Sequence, residues 1–341
     1  MSRTPAISVL LPVRDAGPYL PACIRCLQCQ THGDFEVVVV DDGSADGSGA
    51  VLDDWARSDA RVRVLHREAE GLVPALNAGL QRCRGALVAR MDADDLCAPQ
   101  RLELQARAFD ADPDLDVVSC RVTIFPRRGM SEGLRSYEAW LNGLQTHESI
   151  LRQRFVESPL AHPSVAARRR VLLDVGGYRD CGWPEDHDLW LRLAAAGARF
   201  GQRPERLLLW RDHDARLTRT DPRYRTERFL ECKAEHLACG PLADGRPLIL
   251  WGAGRTGRRL LRHLAVRGVR AAALIDIDPN KIGGMVQGAP VHGPDDLPGL
   301  LAGRARAAVL AAVAFPGARE QIREFLDRQG LVEGEDYWCA A

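Results

Sequence analysis

Asp41-Asp42-Gly43-Ser44 and Asp92-Ala93-Asp94-Asp95 each close an apolar run, Phe35 to Val40 and Ala86 to Met91. A carboxylate at the end of a buried strand costs free energy unless it has a task. In open α/β sheets the carboxyl ends of the strands form the ligand crevice. Asp92 and Asp94, at i and i+2 in one turn, can face a single hard cation such as Mn2+ or Mg2+. Such an ion takes few protein ligands and shares its sphere with water and substrate phosphates. A polar turn that caps the helix beginning near Pro99 would use the same residues. Asp42 can accept a hydrogen bond from the N–H of a base, with Gly43 permitting a tight turn beside it. A helix N-cap at Ser44 or Asp46 is the structural alternative. A further acidic group, Glu185-Asp186-His187-Asp188, precedes an apolar helix, where the helix dipole favours it.

The elements that must position these residues alternate in type. Strands are expected at Ile7–Leu11, Phe35–Val40, Val62–Leu65, Ala86–Met91 and Val117–Ile124. Helices are expected from Pro18 to about Gln30, at Ser48–Ser58, Leu72–Cys83 and Pro99–Phe109. That alternation implies a mostly parallel sheet covered by helices. The rhythm then changes: Tyr137–Phe155, Arg168–Val175 and Asp186–Ala196 read as helical, and Leu207–Trp210 as a short strand. Gly240–Pro247 reads as a linker. Beyond it the pattern restarts, with strands at Leu248–Trp251, Ala271–Ile275 and Ala307–Val313, and helices at Arg258–Arg267 and Ala318–Gln329.

The 341 residues suffice for two domains, expected at 1–239 and 246–341. Formal net charge is zero, so no global field collects nucleic acid or an anionic membrane. No run approaches about 18 uninterrupted apolar residues, so no transmembrane segment is expected. Met1–Ile7 lacks the basic-then-apolar pattern of a secretory leader. Cys23, Cys26 and Cys29 fall on one helix, which rarely wraps three thiolates around an ion. The ten cysteines are expected to be free thiols in a reducing cytoplasm.

In order and spacing, the pieces of the first ~235 residues resemble family 2 glycosyltransferases of the GT-A fold. They are Val9-Leu10-Leu11-Pro12-Val13-Arg14-Asp15, Val40-Asp41-Asp42-Gly43-Ser44, Gly71-Leu72-Val73-Pro74-Ala75-Leu76-Asn77-Ala78-Gly79 and Ala89-Arg90-Met91-Asp92-Ala93-Asp94-Asp95. Pro99-Gln100-Arg101-Leu102, His162-Pro163-Ser164, Gly176-Gly177-Tyr178, Glu185-Asp186-His187-Asp188-Leu189-Trp190 and Trp210-Arg211-Asp212-His213 follow. The resemblance implies that Pro12, Val13 and Asp42 line a nucleobase pocket, with Arg14 at its edge. It implies Arg90 beside the nucleotide, Asp92 near ribose or metal, and Asp94 on the metal. It places the catalytic base at Asp186, with Asp188 and Glu185 in reserve, and His213 near the diphosphate.

Gly252-x-Gly254-x-x-Gly257 follows a strand and opens a helix, and Asp276 falls near the end of the next strand. This is the pattern of a dinucleotide fingerprint. The segment resembles small Rossmann modules attached to sugar-modifying enzymes. NAD(P), another nucleotide, or a packing role for the glycines all stay open.

The expected fold is therefore α/β, a GT-A nucleotide-diphospho-sugar transferase domain followed by a small Rossmann-like domain. The expected function is a metal-dependent, inverting glycosyltransferase using a nucleoside diphosphate sugar and an acceptor hydroxyl, in cell-surface glycan synthesis. A nucleotidyltransferase and a non-catalytic nucleotide-sugar sensor are the alternatives. The first lacks its basic Gly-rich loop after the opening strand, and the full acidic set argues against the second. The Rossmann-like domain is expected to fold separately and to be dispensable for the chemical step.

Overall fold

The computed structural model describes residues 4–302 and 307–341. Residues 1–3, at the start of the stretch read as lacking a leader, lie outside the described part. The chain forms two compact units. The first comprises Met1–Ile150, Pro159–Cys181 and Asp188–Arg216; the second comprises Leu151–Ser158, Gly182–His187 and Leu217–Ala341.

In the first unit lie β1 (Ile7–Val13), β2 (Phe35–Asp42), β3 (Val62–Arg67), β4 (Leu87–Arg90), β5 (Leu96–Cys97), β6 (Val117–Phe125), β7 (Ala166–Arg168) and β8 (Phe200–Arg211). They form an eight-stranded sheet in the order β3-β2-β1-β4-β7-β6-β8-β5. β3, β2, β1 and β4 are parallel. Every residue of β1, β2 and β4 is buried. Burial on both faces explains why these strands read as nearly continuous apolar runs, and the buried Ser8 and Glu36 within them bond to each other at 2.7 Å. β7 pairs antiparallel with both β4 and β6, and β5 antiparallel with β8. The helix Leu72–Arg82 packs on β1 and β2. A Cβ at its Gly79 would stand 2.3 Å from the Leu10 side chain and 2.9 Å from that of Val40, so both would have to move.

Two differences from the sequence expectation concern local patterning. β8 runs twelve residues rather than four. Its middle carries Arg203, Pro204, Glu205 and Arg206, none of them buried, and Arg206 pairs with the buried Glu138 at 3.1 Å. The expected helix at Arg168–Val175 is a shorter helix, Arg169–Asp174, preceded by the three-residue β7. Cys23, Cys26 and Cys29 form no metal cluster among the described residues. Cys26 Sγ instead lies 3.5 Å from Cys97 Sγ in β5.

The second unit holds β9 (Leu248–Trp251), β10 (Ala271–Ile275), β11 (Met285–Val286), β12 (Ala289–His292), β13 (Ala308–Ala311) and β14 (Tyr337–Cys339). Their order is β11-β12-β10-β9-β13-β14, with all pairs parallel except β11 with β12. Counted from β9, the parallel part runs 3-2-1-4-5, the doubly wound order. The helix Thr226–Ala238 also belongs to this unit and packs against Arg255–Val266. Glu227 takes Arg259 and His263, and Glu235 takes Arg267, along that helix pair.

Candidate active site

The acidic turns of the first unit stand at the carboxyl ends of β2 and β4. Gly43 adopts φ 69°, and a Cβ there would meet the Ala69 nitrogen at 2.8 Å. The tight turn is thus a steric requirement. Asp41 caps it, accepting from Ser44 N–H at 3.1 Å, and pairs with His66 Nδ1 at 2.9 Å. Asp46 accepts from Ser48 N–H at 2.9 Å, but the N-cap of the helix Ser48–Ser58 is Gly47, neither Ser44 nor Asp46. Asp42, 3% exposed, accepts from Glu70 and Gly71 N–H groups, each at 2.9 Å, and from Arg14 Nη1 at 3.4 Å. Its carboxylate fixes the entry to the helix Leu72–Arg82, and the half-exposed Arg14 is its outermost partner. Pro12 and Val13 are buried at the end of β1, beside Val40 and Asp41 of β2.

His66 bridges Asp53 and Asp41, at 2.9 Å each, and these two carboxylates raise its pKa above the ordinary histidine range. The sign follows from linkage: the bridge stabilises fully below about pH 6.5 and fades as pH rises through the raised folded value. The stability difference between the native protein and His66→Gln is therefore expected to shrink between about pH 6 and pH 9. Urea midpoints at the two pH values measure it. A difference that grows with pH would overturn the assignment.

The turn after β4 is built from beneath. Arg101, 1% exposed, donates from Nη2 to the Arg90 carbonyl at 2.6 Å and from Nε to Gln105 Oε1 at 3.2 Å. Gln105 in turn holds the carbonyls of Val118 and Ser164. Arg101→Met should therefore destabilise by about 2–4 kcal/mol, because buried carbonyls lose a charged donor. A change in urea unfolding below about 1 kcal/mol would show that water replaces the guanidinium.

Above this support, Arg90 Nη2 holds Asp92 Oδ1 at 2.6 Å. Burial pushes the Asp92 carboxyl up, but Arg90 and His162 outweigh it and hold Asp92 below the usual carboxylate range. Asp94 Oδ2 meets His213 Nε2 at 2.8 Å. Asp95, which the sequence reading did not single out, is 1% exposed. It accepts from Arg211 N–H at 2.7 Å through Oδ1, while Oδ2 is buried without a hydrogen-bond partner. Burial, then Asp92 and Asp94, push its carboxyl well above the ordinary range. Oxygens of Asp92, Asp94 and Asp95 lie within 4.8 Å of one another. Three carboxylates so placed, one with an orphan oxygen, fit a hard divalent cation.

Trp210-Arg211-Asp212-His213 closes the turn from the end of β8. Arg211 Nε donates to the Asp94 carbonyl at 2.6 Å, and its guanidinium stacks on Tyr19 and Phe125, 4.9 and 4.5 Å from the ring centroids. The His213 ring lies 4.8 Å from that of Tyr19. Asn77 grips Tyr178 of the Gly176-Gly177-Tyr178 turn twice, at 2.9 Å through both amide atoms.

Asp186 belongs to the second unit. Its Oδ2 accepts from Ser158 Oγ at 3.3 Å and Oδ1 from His187 N–H at 2.7 Å. Burial, with Glu185 next in weight, pushes its carboxyl up to about 8. Glu185 is buried and held by the Tyr224 hydroxyl at 2.8 and 3.0 Å. Asp188 belongs to the first unit and is tied to Arg192 at 2.7 Å, whose other nitrogens hold the carbonyls of Val175 and Gly177. Asp188 thus has a structural task, while Asp186 has the perturbed carboxyl.

At the Gly252–Gly257 turn, a Cβ on Gly257 would stand 1.9 Å from the Gly252 carbonyl oxygen. Gly252 has φ 119°, and Gly254 precedes the helix Arg255–Val266. Asp276 accepts from Ala253 and Asp278 N–H groups at 2.8 and 2.9 Å and pairs with Lys281 at 3.2 Å.

The model of glycosyl transferase family 2 matches residues 8–177. The amylovoran biosynthesis glycosyltransferase AmsE of Erwinia amylovora is 32% identical over 190 residues, 55% of this chain and 69% of that protein. A Bacillus subtilis protein named putative glycosyltransferase EpsH is 36% identical over 117 residues, but the match spans only a third of each chain, 34% here and 33% there. Among solved structures, S. aureus TarS 1–349 in complex with UDP superposes with TM-score 0.54 at 18% identity, over 76% of this chain and 70% of that one. The mannosyltransferase PcManGT of Pyrobaculum calidifontis, in complex with GDP-Man and Mn2+, gives TM-score 0.50 at 21% identity, over 70% and 63%. These structures share the fold, a GT-A sheet. The match to AmsE extends over two thirds of that protein, and the chain belongs to glycosyl transferase family 2.

Proposed function

We propose that this glycosyltransferase is metal-dependent and inverting, moving a sugar from a nucleoside diphosphate sugar to an acceptor hydroxyl in surface polysaccharide synthesis. The observation that carries it is the Asp92-Asp94-Asp95 cluster with its orphan buried oxygen. Relatives support the setting: AmsE is named for amylovoran biosynthesis and the Escherichia coli relative WbnJ for O-antigen biosynthesis. TarS complexes hold UDP and UDP-GlcNAc, and PcManGT holds GDP-Man with Mn2+.

A divalent cation, Mn2+ or Mg2+, held by Asp94 with Asp92 and Asp95, would supply charge neutralisation to the leaving diphosphate. In this reading Pro12, Val13 and Asp42 receive the base, with Arg14 free to swing aside, and Arg90 keeps Asp92 ionised. His213 orients Asp94 from behind, as a metal ligand's partner does. Asp186 accepts the proton of the attacking hydroxyl, and a carboxyl raised toward neutrality suits that role. Inversion needs one displacement and no covalent glycosyl-enzyme.

No described helix is long and apolar enough to cross a membrane. All ten cysteines are free, which supports a cytoplasmic reaction. For the second unit we favour packing as the task of Gly252, Gly254 and Gly257 over NAD(P) binding, because Asp276 is already engaged. The domain division at 1–239 and 246–341 stays a proposal for how the chain folds.

Thermal shift against UDP- and GDP-sugars, with and without Mn2+, tests the proposal. A Mn2+-dependent rise with one nucleotide class is expected, since a native-state ligand stabilises by mass action. Equal shifts with and without metal would overturn metal dependence.

A further inference from the structure

Residues 151–158 and 182–187 belong to the second unit together with everything from Leu217 onward. Polar contacts hold the first of these stretches to the C-terminal elements. Arg152 Nε reaches the buried Glu333 at 2.5 Å, and Arg323 closes on the same carboxylate at 2.8 and 3.0 Å. Arg319 Nη1 lies 3.5 Å from Gln153 Oε1. Lys233, 5% exposed, donates from Nζ to the Val156 carbonyl at 2.5 Å and to the Ala340 carbonyl at 3.3 Å. Two residues past Val156, Ser158 donates to Asp186 Oδ2 at 3.3 Å. On the neighbouring position His187 Nε2 meets the Arg154 carbonyl at 2.8 Å, and its ring packs 5.9 Å from that of Phe229.

Lys233 is costly where it stands, since burial opposes its charge and lowers its pKa. An apolar residue could fill the same space at lower cost. What the ammonium adds is a directed grip on two main-chain carbonyls from different parts of the unit. One belongs to the stretch that carries Ser158, and the other to the strand end after β14.

We propose that the C-terminal sheet is part of the catalytic apparatus, with Lys233 a positioning residue that, through Val156 and Ser158, holds the hydrogen bond to Asp186. This rests on Asp186 being the general base. It also gives the C-terminal elements a role in the chemical step, for which the sequence alone suggested none. The groups facing Asp186 fix the sign of the effect. Glu185 and Glu157 push its carboxyl up, Ser158 Oγ–H and His187 N–H pull it down, and the neutral Tyr224 hydroxyl is occupied by Glu185. Arg223 adds its charge beside Glu185. Loosening Ser158 therefore removes a stabiliser of the ionised base.

The test is a carboxyl 13C NMR titration of protein labelled at aspartate, with the Asp186 resonance assigned by its loss in Asp186→Asn. Ser158→Ala should raise the Asp186 midpoint by about half to one pH unit, a three- to tenfold gain in proton affinity. Lys233→Met should raise it by a similar amount, and the double variant by no more than the larger single shift. Arg319→Gln, a milder change, should move it in the same direction, and serves where Lys233→Met does not fold. If Ser158→Ala moves the midpoint while Lys233→Met or Arg319→Gln lowers only the melting temperature, Lys233 is structural and the proposal falls. Fully additive shifts would overturn it as well. Near-normal turnover in Asp186→Asn, measured with a donor found by thermal shift, would remove the base assignment instead. The midpoint couplings would still be read separately.

Discussion

Asp186→Asn is expected to bind the nucleotide sugar as the native protein does and to lose about 10²–10⁴-fold in transfer rate. The substitution keeps the shape of the side chain and an acceptor for the His187 N–H, its amide nitrogen can donate to Ser158 Oγ in place of accepting from it, and it removes the proton acceptor. The native protein carries a second signature. With its carboxyl up at about 8, Asp186 is ionised in only a minority of molecules at neutral pH, and the proposed base role requires the ionised form. Transfer should therefore rise with pH up to about 8 and then level off. The variant's residual activity should lack that limb. Single-turnover transfer across pH, beside donor binding by calorimetry, separates the outcomes. If Asp186→Asn is near normal and Asp188→Asn is inactive, the base is the wrong acid, although the Asp188 tie to Arg192 makes misfolding the first thing to check in that variant.

Asp94→Ala should abolish the Mn2+-dependent part of UDP or GDP binding, about 10–100-fold or more in affinity, with the fold intact. Asp94 is half-buried and its main structural contact is His213, so its removal leaves no buried charge alone. Asp95→Ala makes the informative comparison. Asp95 also anchors the Arg211 N–H, so that variant should lose melting temperature as well as metal response. Calorimetry showing unchanged Mn2+-dependent nucleotide affinity in Asp94→Ala would take Asp94 out of the site.

What the sequence revealed and what it hid follow from local patterning. β1, β2 and β4 were legible because burial on both faces makes most positions apolar, and the polar exceptions inside β1 and β2, Ser8 and Glu36, bond to each other. The carboxylates at their ends stood out against that background. β8 was mostly hidden because Arg203, Pro204, Glu205 and Arg206 break its apolar pattern, with Arg203 paired to Glu205 within the strand and Arg206 to the buried Glu138. β7 is three residues long, too short for any period. Asp95 could not be told from Asp94 by type. Its burial depends on Leu96 pairing with Leu209, a contact between residues far apart in the chain. Arg101 sits on the buried face of its helix, where a charge reads as a flaw in the pattern until the carbonyls it serves are seen. Asp276 matched a ribose-binding position in spacing, while its hydrogen bonds are already taken within its own unit.

The linker at Gly240–Pro247 invites recombination, since it is exposed in composition and separates two strand–helix patterns. The stretches 151–158 and 182–187 make it a poor crossover point. A chimera joined there would carry Arg152, Gln153 and Lys233 from one parent and their partners, Glu333, Arg319 and the Ala340 carbonyl, from the other. Such a hybrid would keep Asp92, Asp94 and Asp95 and still inherit a mismatched frame around Asp186, the proposed base. Libraries that exchange C-terminal modules among these enzymes should therefore move the two short internal stretches as passengers with the module. Parents that agree at Lys233, Arg319 and Glu333 should tolerate the linker junction best.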